Sequence, residues 1–147
     1  MVDQDLSIGF IGIGNMGNPM AGNLIKAGWG VTVFDTDASK LRAFTEAHGG
    51  AAAASLAELG GKSDVVITML PDGFVVRRVV LGMDSGDDCL VKGLARGATI
   101  IDMSSSAPVG TRKLGEDLRQ YGIALLDAPV SGGVKGAVAA TMSIMIG

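Results

Sequence analysis

Gly12, Gly14 and Gly17 form a G-x-G-x-x-G, a spacing suited to holding a phosphate. The first glycine allows a tight turn, the second lets a pyrophosphate reach the backbone, and the third lets a helix pack on a strand. The free N–H groups that open such a helix, with the positive end of its dipole, then face the anion. Asn15 and Met16 fall inside the turn and would border the ligand. Alone, the pattern is weak in a chain with 23 glycines among 147 residues, and a plain tight turn would also produce it. Asp35 adds weight, eighteen residues beyond Gly17. A carboxylate there accepts hydrogen bonds from both hydroxyls of an adenosine ribose. It also repels a 2′-phosphate, so it favours NAD over NADP. Asp35 or Asp37 could instead cap the helix that follows, and Asp37 is the better cap.

Three further clusters follow apolar runs. Met69-Leu70-Pro71 and Ser104-Ser105-Ser106 each stand where a strand should end, and in an open α/β sheet ligands bind at such ends. Three hydroxyls there could bond a ribose, a carboxamide or the next helix. Ser106 could equally cap a helix opening at Pro108. In Ser131-Gly132-Gly133 a hydroxyl is followed by two unshielded N–H groups, a nest for a carboxylate. A bland glycine-rich turn explains the same glycines.

The elements that position these residues alternate. Short apolar runs at 7–13, 31–34, 64–69, 99–103 and 123–126 read as strands, with a brief one at 51–53. The Val/Ile run at 64–69 is what a strand covered on both faces needs. Helical spacing occupies 16–27, 39–48, 55–59, 72–81 and 108–121, where Leu114 and Leu118 share a face. The alternation predicts βαβ units in a doubly wound parallel sheet, an α/β fold with helices on both faces. Residues 141–147 read as one more strand, with no polar tail after it. The chain therefore reads as the front part, residues 1–147, of a longer protein.

Composition removes several functions. Twelve basic residues against 15 acidic ones give a net charge of −3, which argues against a nucleic-acid partner. The uncharged run from Leu6 to Ile25 holds five glycines and Pro19, a poor membrane span. Cys89 is the only cysteine and His48 the only histidine, so neither a disulfide nor a cysteine-based metal cluster is expected, and no metal site is proposed. A single cysteine fits a reducing, cytoplasmic setting. His48 reads as a helix-dipole partner and Cys89 as a small buried residue.

The stretch from Gly9 to Ala21, together with Asp127-Ala128-Pro129-Val130-Ser131-Gly132-Gly133, resembles the β-hydroxyacid dehydrogenase family, which includes 3-hydroxyisobutyrate dehydrogenases. The resemblance runs in order through essentially the whole chain. It implies NAD-dependent oxidation of a small 3-hydroxy acid by hydride transfer. It also implies that Ser131, Gly132 and Gly133 bind substrate. Met69, Leu70, Pro71, Ser104 and Ser105 would line the cofactor site. The family's catalytic lysine, on a later helix, and its all-helical second domain would fall outside these residues. No catalytic residue is therefore assigned within the chain, and the second domain would make most of an oligomer interface. Lys135 is the one tempting substitute, and a solvated turn explains it. Two positions depart from the pattern. Asp102-Met103-Ser104-Ser105 stands where Asp-x-Ser-Thr is frequent, and Ala140 where glycine is common. A non-catalytic NAD sensor would keep the same fold, and a methyltransferase would share it but leave the Ser-Gly-Gly segment without a role.

Overall fold

A computed structural model describes residues 4–147. Six parallel strands form one sheet: β1 (Ser7–Ile11), β2 (Gly30–Phe34), β3 (Ala51–Ala52), β4 (Val65–Thr68), β5 (Thr99–Asp102) and β6 (Ala124–Asp127). Their order is β3-β2-β1-β4-β5-β6. The chain winds outward from β1 in one direction, returns, and winds outward from β4 in the other. The point of reversal lies between β1 and β4, where Ile11 pairs in register with both Phe34 and Thr68. Loops diverge at that point, so a crevice opens at the carboxyl ends of these strands.

The pleat divides the sheet's side chains between two cores. Ile8, Phe10, Val31, Val33 and Ile67 face α1 (Gly17–Lys26) and α2 (Ala38–His48). Ile11, Val66 and Ile100 face α3 (Leu56–Gly61), α4 (Gly73–Leu81) and α5 (Pro108–Arg119). Each helix contributes residues at helical spacing: Val76 and Val80 from α4, Leu114 and Leu118 from α5, all at most 3% exposed. Burying a side chain of this size contributes roughly 1.5–3 kcal/mol. The expected doubly wound α/β fold is therefore the fold observed, with boundaries displaced by a residue or two. Asp37, Ser55 and Asp72 stand just outside α2, α3 and α4 as side-chain caps.

The last eighteen residues differ from expectation. The run 141–147 does not extend the main sheet. Only Ser143–Ile144 (β8) is a strand, pairing antiparallel with β7 (Val130–Ser131) as a separate ribbon. Between them lies α6 (Gly133–Ala139), which the sequence did not announce. Its small residues pack on α1: Ala137 is fully buried, and Asn23 Nδ2 donates to the Ala137 carbonyl at 2.8 Å. Ala140 ends α6 at φ +56°, the one non-glycine residue with positive φ among the described residues. A left-handed backbone is one that glycine adopts without strain, so Ala140 stands at a position whose conformation favours glycine. Over β4–β6 on this face an apolar groove of about 400 Å³ remains, lined by Ile67, Ile101, Leu126, Ile144 and Ile146 among others. Among the described residues, no helix is long and apolar enough to cross a membrane.

Candidate functional site

Past β1 the chain turns at Gly12, whose φ is +94°. The Gly12 N–H donates to the Phe34 carbonyl at 3.0 Å, which fastens the turn to the end of β2. The three glycines of the motif do different work. A Cβ on Gly12 would lie 2.2 Å from the Met69 carbonyl oxygen, and one on Gly17 would lie 1.7 Å from that of Gly12. A Cβ on Gly14 would meet nothing within 4 Å. Two glycines are thus required by the protein's own packing, while the third keeps open space beside the backbone. No side chain caps α1 at Met16. The first-turn N–H groups of a helix have no intrahelical acceptor, so this end attracts anions.

Asp35 lies where β2 leaves the sheet. Its Oδ2 accepts from the Ile13 N–H at 3.1 Å and its Oδ1 from the Asp37 N–H at 2.9 Å. The carboxylate therefore sets the shape of the glycine turn instead of capping α2. That cap is Asp37, whose Oδ1 accepts from Ser39 and Lys40 N–H groups. Hydrogen bonds from Ser39 hold the Asp37 carboxyl below its ordinary value. Each Asp35 oxygen accepts one bond in the protein and keeps a further lone pair.

These residues border one cleft of about 540 Å³ at the reversal point of the sheet. Gly12, Gly14, Asn15, Met16, Gly17, Asp35, Met69, Leu70 and Pro71 all line it. The sequence reading missed the α4 wall, made by Val75, Arg78 and Val79, and the α2 side, where Lys40 stands. The spacing Val75-Arg78-Val79 is one helical stripe on the helix after Pro71, a signal that was present. Lys40 is exposed, and so is Arg78; both give the rim of the cleft positive charge.

The serine cluster needs correction. Ser104 is fully buried and does not line the cleft. Its Oγ accepts from the Leu70 N–H at 2.8 Å, so Ser104 reaches the site only through Leu70. Ser105 is exposed on a neighbouring groove between α4 and α5, beside Phe74 and Arg77. Ser106 caps nothing. Ala107 holds the cap position of α5 without a side-chain bond, and Ser106 Oγ donates to Asp102 Oδ2 at 2.8 Å.

Ser131, Gly132 and Gly133 are exposed and stand apart from the cleft. Ser131 sits on β7, Gly132 precedes α6 with φ +133°, and Gly133 opens it with φ +61°. Lys135 is exposed two residues later. His48 belongs to the packing between helices: its Nε2 lies 3.1 Å from Asn18 Oδ1 and its ring contacts Phe44. Cys89 is buried, as expected. Among the described residues no group of three His, Cys, Asp or Glu could hold a metal ion.

Asp127 pairs in register with Asp102 at the ends of β6 and β5. Burial, and then the charge of Asp102, pushes the Asp127 carboxyl above its ordinary value. A group raised by folding favours the native state in acid, and that contribution is lost as pH climbs through its native pKa. Asp127→Asn should therefore raise the urea midpoint at neutral pH but give no gain in acid. An equal gain at both pH values would show that charge is not the cause.

The family model described as the NAD binding domain of 6-phosphogluconate dehydrogenase matches residues 7–147. A Pseudomonas aeruginosa NAD-dependent L-serine dehydrogenase is 43% identical over 95% of this chain and 45% of its own length. A 3-hydroxyisobutyrate dehydrogenase of the same organism is 44% identical over the same shares. The solved structure of Mycobacterium tuberculosis 3-hydroxyisobutyrate dehydrogenase with L-serine superposes with a TM-score of 0.87 at 40% identity. It covers 97% of this chain and 46% of that one. The chain spans about half the length of the curated relatives it matches.

Proposed function

This chain belongs to the family of the NAD binding domain of 6-phosphogluconate dehydrogenase, and from that premise we propose that it is the cofactor-binding part of an enzyme oxidising a small 3-hydroxy acid to its oxo acid or semialdehyde. The observation that carries the reading is the cradle at the sheet's reversal point. Gly14 leaves its backbone open, α1 begins without a side-chain cap, and Asp35 stands at the end of the neighbouring strand. These features fit a pyrophosphate and an adenosine ribose. Lys40 and Arg78 add positive charge at the rim. When bound, NAD supplies the hydride acceptor. The chain's own part is to orient it and exclude water from its binding face.

On this reading Ser131, Gly132 and Gly133 receive the substrate carboxylate, as their likeness to the dehydrogenases' segment suggests. The proton of the substrate hydroxyl passes to a lysine of a further, helical domain, which also joins subunits of the intact protein. A lone buried cysteine suits a reducing cytoplasmic setting.

Cofactor choice is testable directly. Asp35 should make the chain prefer NAD to NADP, because a 2′-phosphate would meet a carboxylate. Asp35→Ala should weaken NAD binding by roughly 1.5–3 kcal/mol and narrow the preference. Calorimetric titration of both cofactors decides; equal affinities in the wild type would sink the assignment. Turnover separates the enzyme part from a complete enzyme. Residues 1–147 alone are expected to bind NAD weakly and to form no NADH from a panel of 3-hydroxy acids. General acid–base catalysis alone is worth about 10²–10⁴-fold, and Lys135 is exposed outside the cleft. Robust NADH production would overturn this and implicate Lys135, which Lys135→Met would then check.

A further inference from the structure

Asp102 is an ionisable side chain only 2% exposed, at the end of β5. Burying a carboxylate is expensive unless donors replace its water. Three do so. Thr68 Oγ1 donates to Oδ1 at 2.9 Å, the Ser104 N–H donates to the same oxygen at 3.0 Å, and Ser106 Oγ donates to Oδ2 at 2.8 Å. The donors share a location: Thr68 is the last residue of β4, and Ser104 and Ser106 follow β5. Just beyond them the sheet's ladder stops, with the Met103 N–H on the Thr68 carbonyl and the Ala128 N–H on that of Asp102.

From this carboxylate a second bond leads to the cleft. Ser104, held at its own N–H by Asp102, offers Oγ to the Leu70 N–H. Leu70 is the middle residue of Met69-Leu70-Pro71, one wall of the cleft. The Met69 carbonyl is also the atom that a side chain on Gly12 would strike. A single carboxylate thus ties together the segments leaving β4 and β5 and fixes how far the wall stands from the glycine turn. A strand end needing only cohesion could bury an apolar side chain here at less cost.

We infer that Asp102 is a positioning residue for the dinucleotide cleft: it sets NAD affinity through Ser104 and Leu70 without touching the ligand. The inference rests on the NAD reading above. It makes a distinction between substitutions. Asp102→Leu leaves two hydroxyls and an N–H without an acceptor and releases the wall. Asp102→Asn keeps one oxygen for Thr68 and Ser104, while its amide N–H can donate to Ser106 Oγ.

The test is calorimetric NAD titration of the wild-type chain, Asp102→Leu, Asp102→Asn, Ser104→Ala and the Asp102→Leu/Ser104→Ala double variant, with circular dichroism and melting curves for each. Asp102→Leu should weaken NAD binding by roughly tenfold, the equivalent of leaving a buried donor unpaired, and Asp102→Asn should stay close to wild type. Ser104→Ala should weaken binding as well, and adding it to Asp102→Leu should cost little more, because both break one route. A purely structural role would lower the melting temperature in every variant while leaving affinity unchanged. A folded Asp102→Leu chain with wild-type affinity overturns the inference. Should that variant fail to fold, Ser104→Ala with wild-type affinity overturns it equally. A wild-type chain that does not take up NAD overturns the cofactor reading itself, and the inference with it.

Discussion

Gly17→Ala is expected to destabilise the whole chain severely, whether or not a ligand is present. The added methyl would sit 1.7 Å from the Gly12 carbonyl oxygen, 2.8 Å from its carbon and 3.1 Å from Phe10 Cε1. None of these can yield cheaply. The first two are backbone, held by the Gly12 N–H bond to Phe34, and Phe10 is fully buried at the centre of its core. Relief requires α1 to lift off β1, which would open the core containing Met20 and Ala21. Overpacking typically costs about 1–3 kcal/mol and can exceed that. Backbone overlap belongs at the upper end, a large share of the roughly 5–15 kcal/mol that holds a domain together. At about 3 kcal/mol the melting temperature should drop by roughly 6–12 °C. Thermal melts followed by circular dichroism will show it, and an unchanged melting temperature would mean that the close approach is not rigid.

Gly14→Val is expected to do the reverse, abolishing nucleotide binding while leaving stability nearly intact. Nothing lies within 4 Å of a Cβ at this position, so the side chain has open space beside the cleft-lining backbone. The isopropyl group then occupies the space a pyrophosphate needs to reach the backbone. Losing two charge-assisted bonds to main-chain N–H groups, at about 1.5–3 kcal/mol each, weakens binding a hundredfold or more. A folded Gly14→Val chain that still binds NAD like wild type would falsify the phosphate role of the turn. Set side by side, the two substitutions separate glycines that the motif writes identically.

The contrast explains what the residues reveal before folding. Runs such as Val65-Val66-Ile67 and Ile100-Ile101 carry their own signal, because a strand covered on both faces must be apolar throughout. The glycine turn and Asp35 lie close along the chain and converge through one βαβ unit, so their meeting is legible. Ser104 and Ser106 are different. Their hydroxyls could serve a ligand, a helix end or a buried acceptor, and the choice is made by Asp102 and by Leu70, 34 positions away. No local pattern encodes that. The α6 segment hid for another reason: Gly-Val-Lys-Gly-Ala-Val-Ala has two glycines and no broad apolar stripe, and it is helical because Ala137 docks on α1. The closing run 141–147, with Met142, Ile144, Met145 and Ile146, reads as one more strand. In the fold its ladder partner is the two-residue β7, so only Ser143–Ile144 is strand, and the Met145 and Gly147 N–H groups bond singly to the Pro129 and Asp127 carbonyls.

That small ribbon gives the molecule uneven resistance to local opening. The six-stranded sheet breaks only with both cores, so its amides should exchange with solvent near the rate of global unfolding. Residues 130–146 are attached by a ladder of two pairs, by the Met145 N–H on the Pro129 carbonyl, by Val130, Ala137 and Met142 against one core, and by the bond from Asn23 to the Ala137 carbonyl. Opening them leaves the six-stranded ladder and the second core closed, so their amides should exchange sooner. Ser131, Gly132 and Gly133 lie in this easily opened unit, while the glycine turn lies in the slow one. Any anion settling on the Ser-Gly-Gly segment must therefore meet the entropy of ordering it, and its affinity will rise with whatever else holds the ribbon shut.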